Sequence, residues 1–292
     1  MSDEARYLDG SRIPGTMYEV RRLIARGSSS DIYEVQTTAD HIFAMKVQSM
    51  PVEEETGDRL RGLPEHPNLV KPRSLGVTSE MHPRPIFLMD RLVGRSMRTI
   101  PCIRPAGQPW GWAAFNAVRD VTPVCAALVS LHDARQVHGA LSGRKVFAHF
   151  DGDRIVMKLF VSLSSRPCDE DSQYWSPEIV CDGKPDVRSD VFAFGAFLFH
   201  LLDGRPPFLG EASGRHERLV QLRRPRSFAL GLGLPQPLPK LIDACLEYEP
   251  KNRPPTMWNV LNELQSIDWR RFVPNEPDDT GPLPAADGGS SR

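Results

Sequence analysis

The chain has 292 residues, 40% of them hydrophobic, with 36 basic and 37 acidic side chains for a net charge of −1. That length fits one large domain or two lobes around a cleft rather than one small core, and the near-cancelling charge removes the whole-molecule field of a nucleic-acid binder. Five cysteines at 102, 125, 168, 181 and 245 form an odd set without CxxC spacing and follow no charged-then-apolar leader, so reduced thiols in a cytoplasm are expected.

Residues 1–13 are polar and weakly patterned and read as a loose N-terminal extension. Over residues 14–92 the pattern is that of strands. "YEVRRLI" and "DIYEVQT" flank a Gly-Ser turn, and "HIFAMKVQ" and "IFLMDRL" follow with alternating β-branched and aromatic residues. One helix interrupts near residues 51–63, with Val52, Thr56, Leu60 and Leu63 on one face. From about Trp110 helices dominate. Thr122 and Pro123 allow two readings there, a capped helix start or a longer helix to Ala134 that Pro123 kinks. A hairpin breaks in, "KVFAHF" and "RIVMKLF" about Asp151, Gly152 and Asp153. The apolar run over 191–202 is shorter than the ~20 residues of a membrane span and predicts a buried core helix capped by Ser189. "TMWNVLNELQSI" carries the 3.6-residue period of a last helix, and residues 273–292 are too rich in Pro, Gly, Asp and Ser to bury a core, so they read as a disordered tail. The sum is an α+β fold, a small β-rich lobe with one helix over 14–92 and a larger, mainly helical lobe over 93–272.

Order and spacing make a further set of segments specific: "LIARGSSSDIYEV", "FAMK", "HPNLV", "LHDARQVHGALSGRKVF", "YWSPE", "SDVFAFG", "GRPPF" and "NRP". Together, over roughly residues 18–268, they resemble the signature set of the eukaryotic-type serine/threonine protein kinases. The resemblance implies a bilobal kinase-like fold. It assigns Glu178 and Arg253 to a buried ion pair, Asp190 to hydrogen bonds from the catalytic-loop backbone, Gly195 to close helix packing and His138 to a packing role rather than a base. It also assigns nucleotide-site positions to Ile24, Gly27, Ile32, Ala44 and Lys46, with Asp90, Leu92, Lys145 and Phe147 completing the set. Only seven lysines stand beside 29 arginines, which makes chance placement of Lys46 unpersuasive. Its partner glutamate is one of Glu53, Glu54 and Glu55, with Glu53 nearest the apolar face by helical angle, whereas the register counted from His66 lands near Thr56. Phe147, where the family has a smaller aliphatic side chain, either fills part of the pocket or closes it.

The chemical parts of the family depart from its pattern. A kinase needs an aspartate to orient the attacking hydroxyl, an asparagine and a second aspartate for magnesium, and glycines that let backbone amides approach the phosphates. Here the His-Arg-Asp triplet reads His138, Gly139, Ala140, the asparagine position is Lys145, and the Asp-Phe-Gly triplet falls on Val161, Ser162, Leu163. No acid occurs over 134–150 or 155–167, so a shifted alignment does not restore one, and Asp151, Asp153 and Asp169 belong to a turn and the activation segment. In the glycine loop Gly27 stands between Ala25 and Ser30. Losing the base costs roughly 10²–10⁴ in rate, and losing both metal ligands removes several kcal/mol at tenfold per ~1.4 kcal/mol. Gly139 and the short segment 161–177 also speak against switching by loop phosphorylation. The expectation is a pseudokinase with no catalytic or metal-binding residues, acting as a scaffold or regulator. No cofactor is required, and the ligand open to the cleft is ATP or another nucleotide, held without metal. The expected partner is a protein, a signalling protein or an active kinase, with no nucleic acid and no membrane span. The alternative is a working transferase, conventional or divergent. The basic run 215–226 reads as a solvated helix or loop, or as a docking patch for an acidic partner.

Overall fold

The computed structural model describes residues 7–27, 30–49, 55–98, 110–163, 169–181, 184–208, 214–223, 225 and 233–273. Strands β1 (Glu19–Arg26), β2 (Ser30–Gln36) and β3 (Ile42–Gln48) are successive antiparallel neighbours. After the helix α1 (Glu55–Arg61) and a short β4 (Leu69–Val70), β5 (Arg73–Val77) and β6 (Pro85–Asp90) complete a sheet of order β1-β2-β3-β6-β5. The two-residue period of a strand sorts β3. Met45 and Val47 pack with Tyr33, Val35, Ile86 and Leu88 into the core of the small lobe, and Ala44 and Lys46 turn to the other face.

Tyr7 and Ile13 belong to that same core, and the Tyr7 hydroxyl donates to Glu80 Oε1 at 2.7 Å. The expectation of a loose extension over 1–13 therefore fails from residue 7 onward. Two isolated apolar side chains join this core, and an isolated pair has no period to read from sequence. Residues 1–6 and 274–292 lie outside the described residues. In α1, Thr56 and Leu60 are buried, as is Leu63 just beyond it; Val52 lies outside the described residues.

The larger lobe begins with β7 (Gly94–Ser96) and the 24-residue α2 (Trp110–Asp133). Pro123 lies inside α2, so the longer of the two helix readings is the one realised. Proline withdraws the amide that Arg119 would receive, and Thr122 Oγ1 donates beside it to the Val118 carbonyl at 2.7 Å. Residues Gly111–Asp133 are long and apolar enough to cross a membrane, and half of the most apolar window is buried in the fold. Next come β8 (Val146–Asp151) and β9 (Arg154–Phe160), a hairpin closing at Asp151 and Arg154, with sheet order β4-β9-β8-β7.

Helices α3 (Pro177–Val180), α4 (Val187–Asp203), α5 (Arg215–Leu222), α6 (Pro237–Cys245) and α7 (Met257–Ser266) follow. The buried α4 starts earlier than the Ser189 cap expected. Asp186 is the cap, accepting from the Arg188 and Ser189 amides at 2.8 and 3.1 Å, while Ser189 Oγ accepts from the Asp186 amide at 3.1 Å. Ser189 thus holds the far end of a reciprocal capping box. Glu178 and Arg253 pair twice, Nη1 to Oε1 at 2.7 Å and Nη2 to Oε2 at 3.0 Å, with the Arg253 side chain fully enclosed. Burial pushes the Glu178 carboxyl up, but Arg253 outweighs it and holds the group below its usual range. Removing one partner of such a pair costs ~3–5 kcal/mol. The basic run is not simply solvated. Arg218 is buried over the Phe208 ring and donates to the Ser172 carbonyl at 2.8 Å, and Arg223 stacks on Tyr248.

Candidate ligand-binding cleft

Between the lobes lies a cavity of about 610 Å³, inside the ~300–1,000 Å³ range of small-molecule sites. Its roof is the β1–β2 hairpin, where Ala25 pairs with Ile32 and the Gly27 amide donates to the Ser30 carbonyl at 2.8 Å. Its back wall is β3, whose Ile32 pairing places Lys46 directly behind that hairpin. Ala44, Val70 and Met89 form an apolar cluster against which Ile24, Ile32, Leu92 and Phe160 pack. The nine expected residues, Ile24, Gly27, Ile32, Ala44, Lys46, Asp90, Leu92, Lys145 and Phe147, all line this one cavity. Residues spread over three separate stretches of sequence converge because β3 and β6 are neighbours and β8 runs beneath them.

Phe147 meets Phe160 edge-on, with ring centroids 5.8 Å apart and planes at 87°. It forms floor, and the cavity stays open above it. Lys46 is half-buried, and its pKa falls to about 8, first through burial and then through the ammonium of Lys145. Among the described residues no carboxylate pairs with Lys46. Glu53 and Glu54 lie outside the described residues, as does the side chain of Glu55. The inward α1 position belongs to Thr56, whose Oγ1 donates to the Leu163 carbonyl at 3.4 Å.

The catalytic-loop region is held by Asp190. Its Oδ2 accepts from the His138 amide and its Oδ1 from the Gly139 amide, each at 2.8 Å, and His132 Nε2 lies 2.9 Å from Oδ2. The His138 imidazole, fully enclosed, has Nε2 3.0 Å from the Phe160 carbonyl, and burial brings its pKa down to about 4. It is a neutral packing group. Ala140 and Val161 are buried, and Lys145 is half-buried facing Lys46. A methyl, an isopropyl and an ammonium group offer a divalent cation no ligand, and among the described residues no cluster of three or more His, Cys, Asp or Glu side chains could hold one. These three positions supply no metal ligand, and the cavity beside them has apolar walls with Lys46 and Lys145 both lining it.

Two features were not legible in the sequence. Arg98 and Arg144 line the cleft near Lys145, where an arginine-rich composition hides them. Asp171, on the 3-10 turn Asp169–Tyr174, reaches back to the catalytic loop, where its Oδ1 lies 3.3 Å from Arg144 Nε. Burial raises its pKa, against the pull of Ser142, Arg144, Lys145 and Arg98. Of the acids weighed from sequence, Asp151 and Asp153 are exposed on the hairpin, and the side chain of Asp169 is outside the described residues.

Residues 60–264 match the family model for protein tyrosine and serine/threonine kinase. Among curated proteins, the chain is 34% identical over 142 residues to the probable serine/threonine-protein kinase CE0033 of Corynebacterium efficiens, covering 44% of this chain and 20% of that one. It is 26% identical over 216 residues to the probable serine/threonine-protein kinase PknB of Corynebacterium glutamicum, covering 67% and 32%. These matches span less than half of either relative's length. Among solved structures, the Mycobacterium tuberculosis PknI kinase domain superposes with a TM-score of 0.65 at 20% identity, over 89% of this chain and 100% of that one. Rad53 1–466 in complex with AMP-PNP gives 0.66 at 17% identity, over 85% and 64%.

Proposed function

The chain belongs to the protein tyrosine and serine/threonine kinase family, and on that premise we propose that it is a catalytically degenerate member, a pseudokinase that works by binding. The observation that carries this reading is the triple Ala140, Lys145 and Val161, at the positions where the family holds its base and its two metal ligands. The cleft keeps the means to hold a ligand. Ile24, Ile32, Ala44 and Leu92 would enclose a base, and Lys46 and Lys145 would neutralise phosphate charge directly, as a metal does elsewhere. The helical lobe would present the surface for a protein partner, a signalling protein or an active kinase, in a cytoplasm that keeps Cys125, Cys181 and Cys245 reduced.

Calorimetric titration with ATP, once with excess Mg²⁺ and once with EDTA, tests this. Equal affinity in both, lost in Lys145→Asn, is the expected outcome. Binding only with Mg²⁺ overturns the direct-charge account.

One observation favours a second reading. Asp171 is a buried carboxylate of raised pKa beside the catalytic loop, and a working transferase would need such a group. Label from γ-labelled ATP, incorporated above a Lys46→Ala control and lost in Asp171→Asn, would establish that reading in place of the first.

A further inference from the structure

The outer rim of the main cleft carries a charged network that the binding of an ordinary nucleotide leaves unused. On β2, Glu34 is opposite Arg22 of β1 and Ala44 of β3, and Ala44 is in turn opposite Met89 of β6. Glu34 therefore stands level with the apolar wall that would enclose a base. Lys46 lies two residues further along β3, about 7 Å at the rise of a strand. Cations thus occupy two levels of the cleft, one beside the base wall and one beyond it.

Glu34 Oε2 accepts from Arg91 Nε at 2.7 Å and from Arg22 Nη2 at 3.0 Å, and Arg21 Nη1 is 3.9 Å from Oε1. Burial would raise the Glu34 pKa, but Arg91 and Arg22 outweigh it and hold the carboxyl below its usual range. Arg91 precedes Leu92, which packs on the base-enclosing cluster, and Arg95 lies three residues beyond Leu92. Arg22, Arg91 and Arg95 all line the cavity. Arg95 is exposed and, among the described residues, makes no hydrogen bond or ion pair. Asp90 lines the cavity too, but it is opposite Phe43, which packs on the small-lobe core, so the strand period turns its carboxylate to the other face of the sheet.

We propose that this rim is a second phosphate subsite, and that the cleft takes a nucleotide carrying a phosphate on its ribose as well as on its 5′ carbon. Ribose joins the base to the 5′ phosphate, so a base against Ala44 with its 5′ phosphate at Lys46 brings the ribose hydroxyls to the rim. Arg22 and Arg91 share the single charge of Glu34 and Arg95 adds its own, an excess of two positive charges. A phosphate monoester, at ≈ −1.5 to −2 near neutral pH, matches that excess. A guanidinium only donates, which suits acceptor-rich phosphate oxygens better than a hydroxyl that must also place its proton. Glu34 holds two of the three guanidiniums in position before a ligand arrives. The inference rests on the nucleotide reading of the cleft and names the class of nucleotide.

Calorimetric titration of the full chain in EDTA at low salt tests it, with AMP, ADP, adenosine 2′,5′-bisphosphate and adenosine 3′,5′-bisphosphate. ADP carries as many phosphates as the bisphosphates and controls for charge. One bisphosphate should bind about tenfold tighter than AMP, as expected of charge-assisted bidentate contacts, and the better of the two identifies the ribose oxygen that is read. Arg95→Gln, at an exposed position, should remove that gain while the ratio of ADP to AMP affinity keeps its value. Bisphosphates that bind no better than AMP, a gain that survives Arg95→Gln, or a variant that lowers both ratios together would each overturn this inference and leave the nucleotide reading standing. Absence of binding by all four would overturn both.

Discussion

Lys46 shows how burial and a neighbouring cation change the chemistry of a lysine. An ordinary lysine keeps its proton to 10.5, whereas burial and then Lys145 bring this one down to about 8. In the unfolded chain the group stays charged up to its ordinary value, so the folded state binds fewer protons between about 8 and 10.5. The sign follows. Lys46 costs stability below about 8, and that cost is relieved as pH rises toward 10.5. Anion binding runs the other way, because only the protonated amine attracts phosphate. ATP affinity in EDTA should therefore fall as pH rises through about 8, well before an exposed lysine would titrate, and Lys46→Arg should flatten the profile because a guanidinium does not titrate there. Calorimetric titrations on either side of that pH decide the point, and a flat wild-type profile would remove Lys46 from the anion site. His138 makes the complementary case, a histidine in a catalytic-loop motif that burial keeps neutral and bonded to structure.

At the scale of elements, α4 is the pillar of the larger lobe, and Gly195 is the residue that lets α6 approach it. A Cβ at Gly195 would stand 2.5 Å from Cys245 Cβ, closer than real side chains come. Alanine gains ~1 kcal/mol of helix propensity over glycine, yet overpacking a well-filled core costs typically 1–3 kcal/mol. Since Phe197 of α4 and Leu241 and Ile242 of α6 are all buried in the same core, we expect the second effect to win. Gly195→Ala should lower the urea midpoint, and Cys245→Gly in the same chain should restore part of the loss. Additive effects in that double-mutant cycle would show that the contact is not what limits the packing. The capping box at Asp186 serves the same helix from its other end, and through Ser189 Oγ, which donates to Glu178 Oε1 at 2.8 Å, it joins the Glu178–Arg253 pair.

Across the whole molecule, α1 ties the lobes together. Leu60 and Leu63 belong to the large lobe's core, Thr56 reaches the Leu163 carbonyl, and Arg59 Nη2 donates to the Val137 and His138 carbonyls at 2.8 and 3.1 Å. Arg59→Ala should thus speed amide exchange in residues 55–63 and 137–142 while sparing β1 to β3, measured by mass spectrometry; uniform exchange across both lobes would mean the bridge lies elsewhere. The strands of the small lobe, the buried α4 and the amphipathic α7 were legible because each repeats its pattern over many residues, and periodicity is a local property. The nine cleft residues were legible too, since an ordered set of motifs carries its own spatial arrangement. Tyr7 and Ile13 were not, because they fill a gap that exists only once the sheet is built. Nor was Asp171, whose proximity to Arg144 depends on how the turn Asp169–Tyr174 folds back on the catalytic loop. The amino-acid sequence by itself determined the family, the lobes and the absence of acids at Ala140, Lys145 and Val161, because residue identity and order suffice for those. Only the tertiary structure decided that Phe147 floors an open cavity, that Thr56 occupies the inward face of α1 and that the buried Asp171 lies 3.3 Å from Arg144 Nε, because contacts between distant segments depend on packing that no local pattern encodes.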